Sequence, residues 1–351
     1  MGKSISRYDV ALFTRQLATL VNSGLPIHRS MEVLMRQYIH APLGLPLSQV
    51  QRALGTGHRL AAALAREADV FDSMYVSIVA AGEAQGNLDR TLMELASYLE
   101  KETALRERVR SALTYPGFVL AITLLLTWWI FTFVLPQFQP MFQALPGGAP
   151  FPTRVLMLII AVCTRPWAMA IVLGGTAAGL FLALRFLRQP RGRGMWDRAS
   201  IHLPVFGKLN RKVVMTRITR SLATMMGSGL PIMDVLLQTA RTCGNVVYQE
   251  NLMKAREHLK TGGSLAKFFA QHRDIYPLMF VQMVTSGEET GYLQELLMRA
   301  AETFDQDVSY TVEIMVTLIE PMLMTLLAVI VGFIVVAVFL PLYAYLSRLG
   351  A

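Results

Sequence analysis

Apolar residues recur every three or four positions through the first hundred residues, a spacing that predicts amphipathic helices. We expect Asp9 to be the N-cap of the first helix. Sustained strand alternation is absent from the sequence, so the pattern favours a helical bundle. The apolar face of the first helix comprises Val10, Phe13, Leu17, Leu20 and Val21. Further helices are predicted over residues 43–54, 60–65, 72–81 and 87–109.

Three longer segments are apolar enough to cross a bilayer, which takes about 20 residues of helix. They cover residues 117–135, 167–187 and 322–346, and none contains an acidic residue. The second segment contains Gly175 and Gly179, a spacing of small residues that lets helices approach closely. A shorter apolar stretch at 155–164 is expected at the membrane interface or as an extension of the second span.

The chain contains an internal repeat with a constant offset of 205 residues. Ser-Gly-Leu-Pro-Ile begins at Ser23 and again at Ser228, and Gly-Glu-x-x-Gly-x-Leu begins at Gly82 and again at Gly287. The offset holds for about a hundred positions, which indicates a duplicated domain rather than a solenoid. We therefore predict an all-α membrane protein with two repeated cytoplasmic six-helix bundles and three transmembrane helices.

The predicted division of the chain follows from these segments. It comprises a first cytoplasmic repeat (1–115), a first span (117–135), an external loop with a short apolar segment (136–166), a second span (167–187), a second cytoplasmic repeat (188–320) and a third span (322–346).

Composition and charge placement agree with a membrane protein. Apolar residues make up 53% of the chain and charged residues 16%, a balance that is low in charge for a soluble protein. Basic residues cluster before the first span and after the second, whereas residues 136–152 carry no charge. The positive-inside rule then places the N-terminus and both repeats in the cytoplasm, and the loop and the C-terminus on the other side of the membrane. This distribution does not indicate a nucleic-acid groove.

The sequence contains no motif that predicts catalytic, cofactor-binding or metal-binding residues. The sequence has no phosphate-binding loop and no nucleophile elbow, its six histidines show no ligand spacing, and Cys163 and Cys243 cannot form a disulfide framework. Two alternative classes of membrane protein, a transporter and a membrane enzyme, each require particular side chains within the spans. A small-solute transporter or channel would need polar groups within the spans, and a membrane peptidase would need paired intramembrane aspartates or a Ser/Lys dyad.

Four carboxylates are the candidate partner contacts. Glu83 and Glu288 occupy equivalent positions in the repeated Gly-Glu motif, Glu289 follows Glu288, and Glu320 stands where the third span begins. The motif is typical of a turn that ends one helix and starts the next. Alternatively, these carboxylates face a protein partner or a cation.

The doubled motifs, and the Pro before the first and third spans, resemble those of the inner-membrane platform proteins of type II secretion and type IV pilus systems, the F/PilC family. The short segment before the first repeat resembles the type IVb pilus branch. The resemblance implies a non-enzymatic platform, dimeric or higher, that engages a hexameric assembly ATPase and other inner-membrane assembly proteins. It also implies a bacterial inner membrane with the C-terminus in the periplasm, and a membrane part that receives pilin or pseudopilin subunits.

Overall fold

The computed structural model describes residues 5–140, 150–202 and 206–349, and the regular structure within these ranges is helical. Residues 141–149 of the predicted external loop lie outside the described residues. In the first half, the helices are α1 (Arg7–Asn22), α2 (Ile27–Tyr38), α3 (Gly44–Gly55), α4 (Leu60–Leu64), α5 (Ser73–Gln85), α6 (Leu88–Trp129) and α7 (Phe151–Thr164).

The remaining helices are α8 (Pro166–Arg188), α9 (Pro190–His202), α10 (Phe206–Gly227), α11 (Ile232–Thr242), α12 (Val246–Lys260), α13 (Leu265–Gln271), α14 (Leu278–Thr290) and α15 (Leu293–Leu349). The offset of 205 residues carries the first residues of α5 and α6 onto the first residues of α14 and α15. The internal repeat of the sequence is therefore a repeat of helix boundaries.

The first helix begins three residues earlier than the sequence predicts. Ser6 is the N-cap: its hydroxyl accepts from the backbone N–H of Tyr8 at 3.2 Å. Asp9 occupies the third helical position and accepts from the N–H of Ser6 at 3.1 Å, which completes a capping box. The prediction of Asp9 as N-cap is wrong, because Ser6 is the N-cap and Asp9 is the third helical residue, which accepts a hydrogen bond from the N-cap backbone.

Ser-Gly-Leu-Pro forms the turn between two helices in both repeats. Gly24 and Gly229 adopt φ angles of 86° and 79°, the left-handed region that glycine enters without a Cβ clash. The N–H of Leu25 donates to the carbonyl of Leu20 at 3.1 Å, so the last carbonyls of α1 are satisfied. The following proline precedes the first residue of α2 or α11 and fixes the direction in which that helix starts.

Both repeats lie in one compact unit, formed by the residues up to Arg108 together with Gly194–Thr311. A single cluster of buried apolar side chains includes Phe13 and Leu17 of the first repeat and Tyr276 and Phe280 of the second. Each of these four is fully buried, and burying such a side chain contributes roughly 1.5–3 kcal/mol. The prediction of one six-helix bundle per repeat stays a prediction, since both repeats contribute to one core.

The second unit, Val109–Arg193 with the residues from Val312 onward, contains the apolar spans. Among the described residues, three helical stretches are long and apolar enough to cross a membrane: Leu88–Phe138, Met169–Leu187 and Leu293–Leu340. The sequence predicted separate helices over 87–109 and 117–135, but α6 runs without a break from Leu88 to Trp129 and includes Pro116. The proline removes one hydrogen bond from a long helix without ending it.

The short apolar stretch is a helix of its own. Helix α7 ends at Thr164, Arg165 is extended with φ −87° and ψ 114°, and α8 starts at Pro166. Leu156 and Ile160 of α7 are fully buried beside Phe131 and Val338. The apolar residues of α7 therefore pack against the spans instead of extending the second one.

Candidate functional site

Glu83 caps the start of α4. Its two carboxylate oxygens accept from the backbone N–H groups of Leu60 at 2.6 Å and of Ala61 at 2.9 Å. Arg59, the N-cap of α4, makes no capping hydrogen bond with its side chain. The carboxylate of α5 therefore satisfies donors that have no partner inside α4, and its charge lies at the positive end of that helix.

Glu288 repeats this arrangement at the start of α13. Its carboxylate accepts from the N–H groups of Leu265 at 3.1 Å and of Ala266 at 2.8 Å, and from the hydroxyl of Ser264 at 2.8 Å. The doubled Leu-Ala pair of the sequence supplies the N–H groups in both repeats. The repeated glutamate and the repeated Leu-Ala pair thus form the same helix-capping interaction in both repeats.

The motif does end one helix and start the next, as predicted, but the break lies at its second glycine and not at Gly82, because α5 and α14 continue for one more helical turn. Gly82 lies within α5 where a Cβ would come within 2.7 Å of the Cβ of Thr91, and the Cβ of an alanine at Gly287 would lie 2.6 Å from the Cα of Leu293. These glycines allow the next helix to approach closely. The second glycine of each motif, with φ of 71° or 80°, ends the helix.

The other two predicted contacts cap no helix among the described residues. Glu289 is exposed on α14, one residue beyond Glu288. Glu320 is exposed on α15 and lines a cavity of about 190 Å³ between α6 and α15 in the second unit, together with Tyr115 and Pro116. Within the described residues, no cluster of His, Cys, Asp and Glu is arranged to hold a metal ion.

A buried ion pair that the sequence did not predict joins the two repeats. The Glu102 side chain is only 6% exposed, and its Oε1 accepts from Nε of Arg106 and from Nε of Arg217, each at 3.0 Å. Arg217 also donates to the carbonyl of Cys243 at 3.1 Å. Removal of one partner from a buried pair is strongly destabilising, so this contact fixes how the repeats pack.

Tyr98 lies one turn before Glu102 and strengthens the same contact. Its hydroxyl and that of Ser221 are 3.0 Å apart in the buried interior. Burial, and next the charge of Glu102, raises the pKa of Tyr98 to about 12, so the phenol stays protonated and able to donate. Near the same helices, the side-chain amide of Gln85 donates to the carbonyl of Ser228 at 3.0 Å.

A second ion pair occurs at equivalent positions of both repeats, but its nitrogen–oxygen distance is longer in the second repeat. Arg15 binds Glu100 with two hydrogen bonds, at 2.7 and 2.5 Å, and hydrogen bonding to Arg15 lowers the pKa of Glu100. The equivalent Arg220 reaches Asp305 only at 3.6 Å, because aspartate is one methylene shorter. Nε and Nη1 of Arg220 are buried and have no hydrogen-bond partner in the described part of the chain.

The sequence did contain a signal for the buried pair. Arg217 stands where the first repeat has Leu12, so it is a charged residue that breaks an apolar position of the repeat. Glu102 lies in a run of charged residues that is typical of a solvated helix face, and only the long-range contact distinguishes it from its neighbours.

Comparison with known proteins decides the family. The family described as type II secretion system (T2SS), protein F, matches this chain twice, at residues 13–136 and 218–341. The chain belongs to this family. The two matches have the same offset as the internal repeat, and each runs from the first helix of a repeat to the end of a span. The second span lies outside both protein F matches.

Relatives in the protein F family match almost the whole chain. A type IV pilus assembly protein PilC of Thermus thermophilus is 37% identical over 343 residues, 97% of this chain and 84% of the relative. A PilC of Pseudomonas aeruginosa is 32% identical over 343 residues, 97% of this chain and 91% of the relative. A type II secretion system protein F of Vibrio cholerae is 32% identical over 344 residues, 97% of this chain and 83% of the relative.

Proposed function

We propose that this protein is the inner-membrane platform of a type IV pilus or type II secretion machine. The observation that carries the proposal is the double family match, in which each matched segment joins a helical repeat to an apolar span. Relatives with both kinds of name match 96% or more of the chain, so the proposal covers both machines. The type IVb branch stays a prediction.

The N-terminus and both repeats are cytoplasmic in this proposal, and the C-terminus is periplasmic. The basic residues before the first span and after the second support it, as does the absence of charge in residues 136–152. Each repeat contributes six helices on the cytoplasmic side, α1–α6 and α10–α15, the last of which continues into a span.

The cytoplasmic helices engage a hexameric assembly ATPase, and the spans receive pilin or pseudopilin subunits. The protein then has no chemistry of its own: it passes the motion of the ATPase to the membrane part. The length of α6 and α15, 42 and 57 residues without a break, supports this, since a continuous helix transmits force along its axis. Glu289, exposed beside a cap, is the proposed contact on the cytoplasmic side. Partner contact through Glu83 and Glu288 stays a prediction, because their carboxylates already hold α4 and α13.

The platform is a homo-oligomer, a dimer or higher, through contacts that include the second span. No residue in the most apolar window of Met169–Leu187 is buried within the chain. A Cβ added at Gly175 or Gly179 would meet no atom within 4 Å among the described residues. A helix surface of this kind suits close approach by a second membrane helix.

Co-purification from native membranes in mild detergent tests the proposal. We expect an assembly ATPase and a pilin or pseudopilin to be recovered with the tagged chain, and the identity of the pilin separates pilus from secretion machine. Recovery of neither, together with solute uptake by vesicles that contain the purified protein, would instead establish a transporter. Filament assembly at the normal rate by variants that no longer bind the ATPase would contradict the force-transmission part of the proposal.

A further inference from the structure

The membrane unit contains an apolar groove with one acidic end. The cavity of about 190 Å³ lies between α6 and α15 and is lined by Val119, Leu323 and Leu327, with Tyr115 and Glu320 at the end where the spans begin. A second cavity of about 490 Å³ lies further along these helices, lined by Leu124 and Trp128 of α6, Val329 and Phe333 of α15, and Ile159 and Cys163 of α7.

The groove is long and opens sideways. From Tyr115 to Trp128, its lining residues on α6 cover about 20 Å at 1.5 Å per residue, roughly two thirds of the thickness of a bilayer core. Met324 and Leu124 on its rim are 69% and 57% exposed. A membrane helix can therefore reach the groove laterally and lie along it.

The acidic end offers acceptors that nothing in the described chain occupies. No hydrogen bond or ion pair engages the Glu320 carboxylate among the described residues, and no basic residue lines either cavity. The ring of Tyr115 adds a π face that attracts a cation.

These acceptors match the N-terminus of a helix. A free α-amino group is an ammonium with three donors, the first N–H groups of a helix have no partner within it, and its dipole is positive at that end. We propose that the groove between α6 and α15 receives an apolar membrane helix whose free α-amino group binds Glu320 and Tyr115. The inference rests on the proposed function, because that function places α6 and α15 in a membrane that also contains single-span chains.

Photo-crosslinking with a defined peptide tests this site. The full chain, with benzoylphenylalanine at Val119 in the groove or at Phe118 outside the two cavity linings, is reconstituted into phosphatidylcholine vesicles. The probe is a synthetic Leu/Ala helix of about 20 residues with a free N-terminus, compared with its N-acetylated twin. We expect position 119 to crosslink more than position 118, and acetylation to lower the yield at 119 about fivefold, as one ion pair predicts.

Glu320→Gln should lower the yield by a similar factor, whereas Glu313→Gln should not, since Glu313 is an exposed carboxylate on the same helix that does not line the groove. Equal yields for the free and acetylated peptides would overturn the inference. An acetylated peptide with lysine at its first position that binds as well as the free one would also overturn it, because the site would then not be specific for an α-amino group. Loss of crosslinking when the vesicles contain phosphatidylethanolamine would overturn it too, because a lipid headgroup would then be the occupant. The vesicles contain no ATPase or pilin, so this result and the co-purification result can fail independently.

Discussion

Glu83 and Glu288 show how a single carboxylate can define a short helix. Helix α4 has five residues and no side-chain cap from its own N-cap position, so an isolated segment of this length would not be helical in water. The carboxylate that reaches it from α5 supplies both acceptors at 2.6 and 2.9 Å. The conformation of residues 60–64 therefore depends on a residue 22 positions away.

Replacement of this carboxylate should loosen α4 while leaving the rest of the chain folded. For Glu83→Gln, we expect about 1 kcal/mol of lost stability and faster hydrogen exchange at the amides of Leu60 and Ala61, because the charge and one acceptor are removed. Hydrogen–deuterium exchange of the full chain in detergent measures both. Glu289→Gln is the matched control, and equal exchange in the two variants would show that the cap contributes nothing.

The long ion pair between Arg220 and Asp305 allows a substitution that should stabilise the protein. Asp305→Glu should extend the carboxylate toward Arg220, as Glu100 reaches Arg15, and give the buried Nε and Nη1 atoms a partner. We expect a gain of about 1 kcal/mol, measured as a higher midpoint of thermal unfolding. The reverse change, Glu100→Asp, should lower the midpoint. A stability decrease for Asp305→Glu would mean that the interior has no room for the added methylene.

At the scale of elements, the glycine in the last turn of α5 sets the distance to α6. Alanine in a helix is ordinarily about 1 kcal/mol more stable than glycine. At Gly82 the added Cβ would lie 2.7 Å from the Cβ of Thr91, a buried and branched side chain that cannot move aside. The steric cost therefore exceeds the gain in propensity.

Gly82→Ala should accordingly destabilise the protein by about 1–3 kcal/mol, and Gly287→Ala should do the same against the backbone of Leu293. Gly117→Ala is the control, since a Cβ there meets nothing within 4 Å among the described residues, and it should be neutral or slightly stabilising. Thermal unfolding of the three variants in one detergent gives the comparison. A stabilised Gly82→Ala protein would show that α6 can shift outward at no cost.

Helix periodicity and the repeat offset together predicted most elements, because both depend on local spacing. The starts of α5 and α6 fall within one residue of the sequence prediction. The pattern could not predict the role of Glu83 or the pairing of Glu102 with Arg217, because their partners are 22 and 115 positions away. It also missed the continuity of α6, because Pro116 is read locally as a helix boundary.

At the scale of the whole molecule, the two halves of the chain bury their side chains in one cluster. A chain cut within residues 141–149 should therefore reassemble from separately encoded halves. We expect a tag on the first half to recover the second half from membranes in near-equal amount. Halves that purify apart, each folded, would show that the repeats are independent bundles.

Arg217→Ala in the second half should weaken this recovery roughly tenfold or more, because Glu102 would stay buried with Arg106 alone. Lys254→Ala removes an exposed charge of the same repeat and should leave recovery unchanged. Equal recovery with both variants would show that apolar contacts alone hold the two halves together and that the ion pair does not contribute.

The buried pair of Glu102 and Arg217 also limits how the gene can diverge. A change at either position alone leaves a charge inside the protein, so substitutions at the two sites are expected to occur together across relatives, whereas Arg106, with a side chain 44% exposed, is free to vary. Since the first repeat has leucine where the second has Arg217, a copy of one repeat can no longer replace the other. Recombination between the two copies, which would otherwise keep them alike, should therefore be selected against.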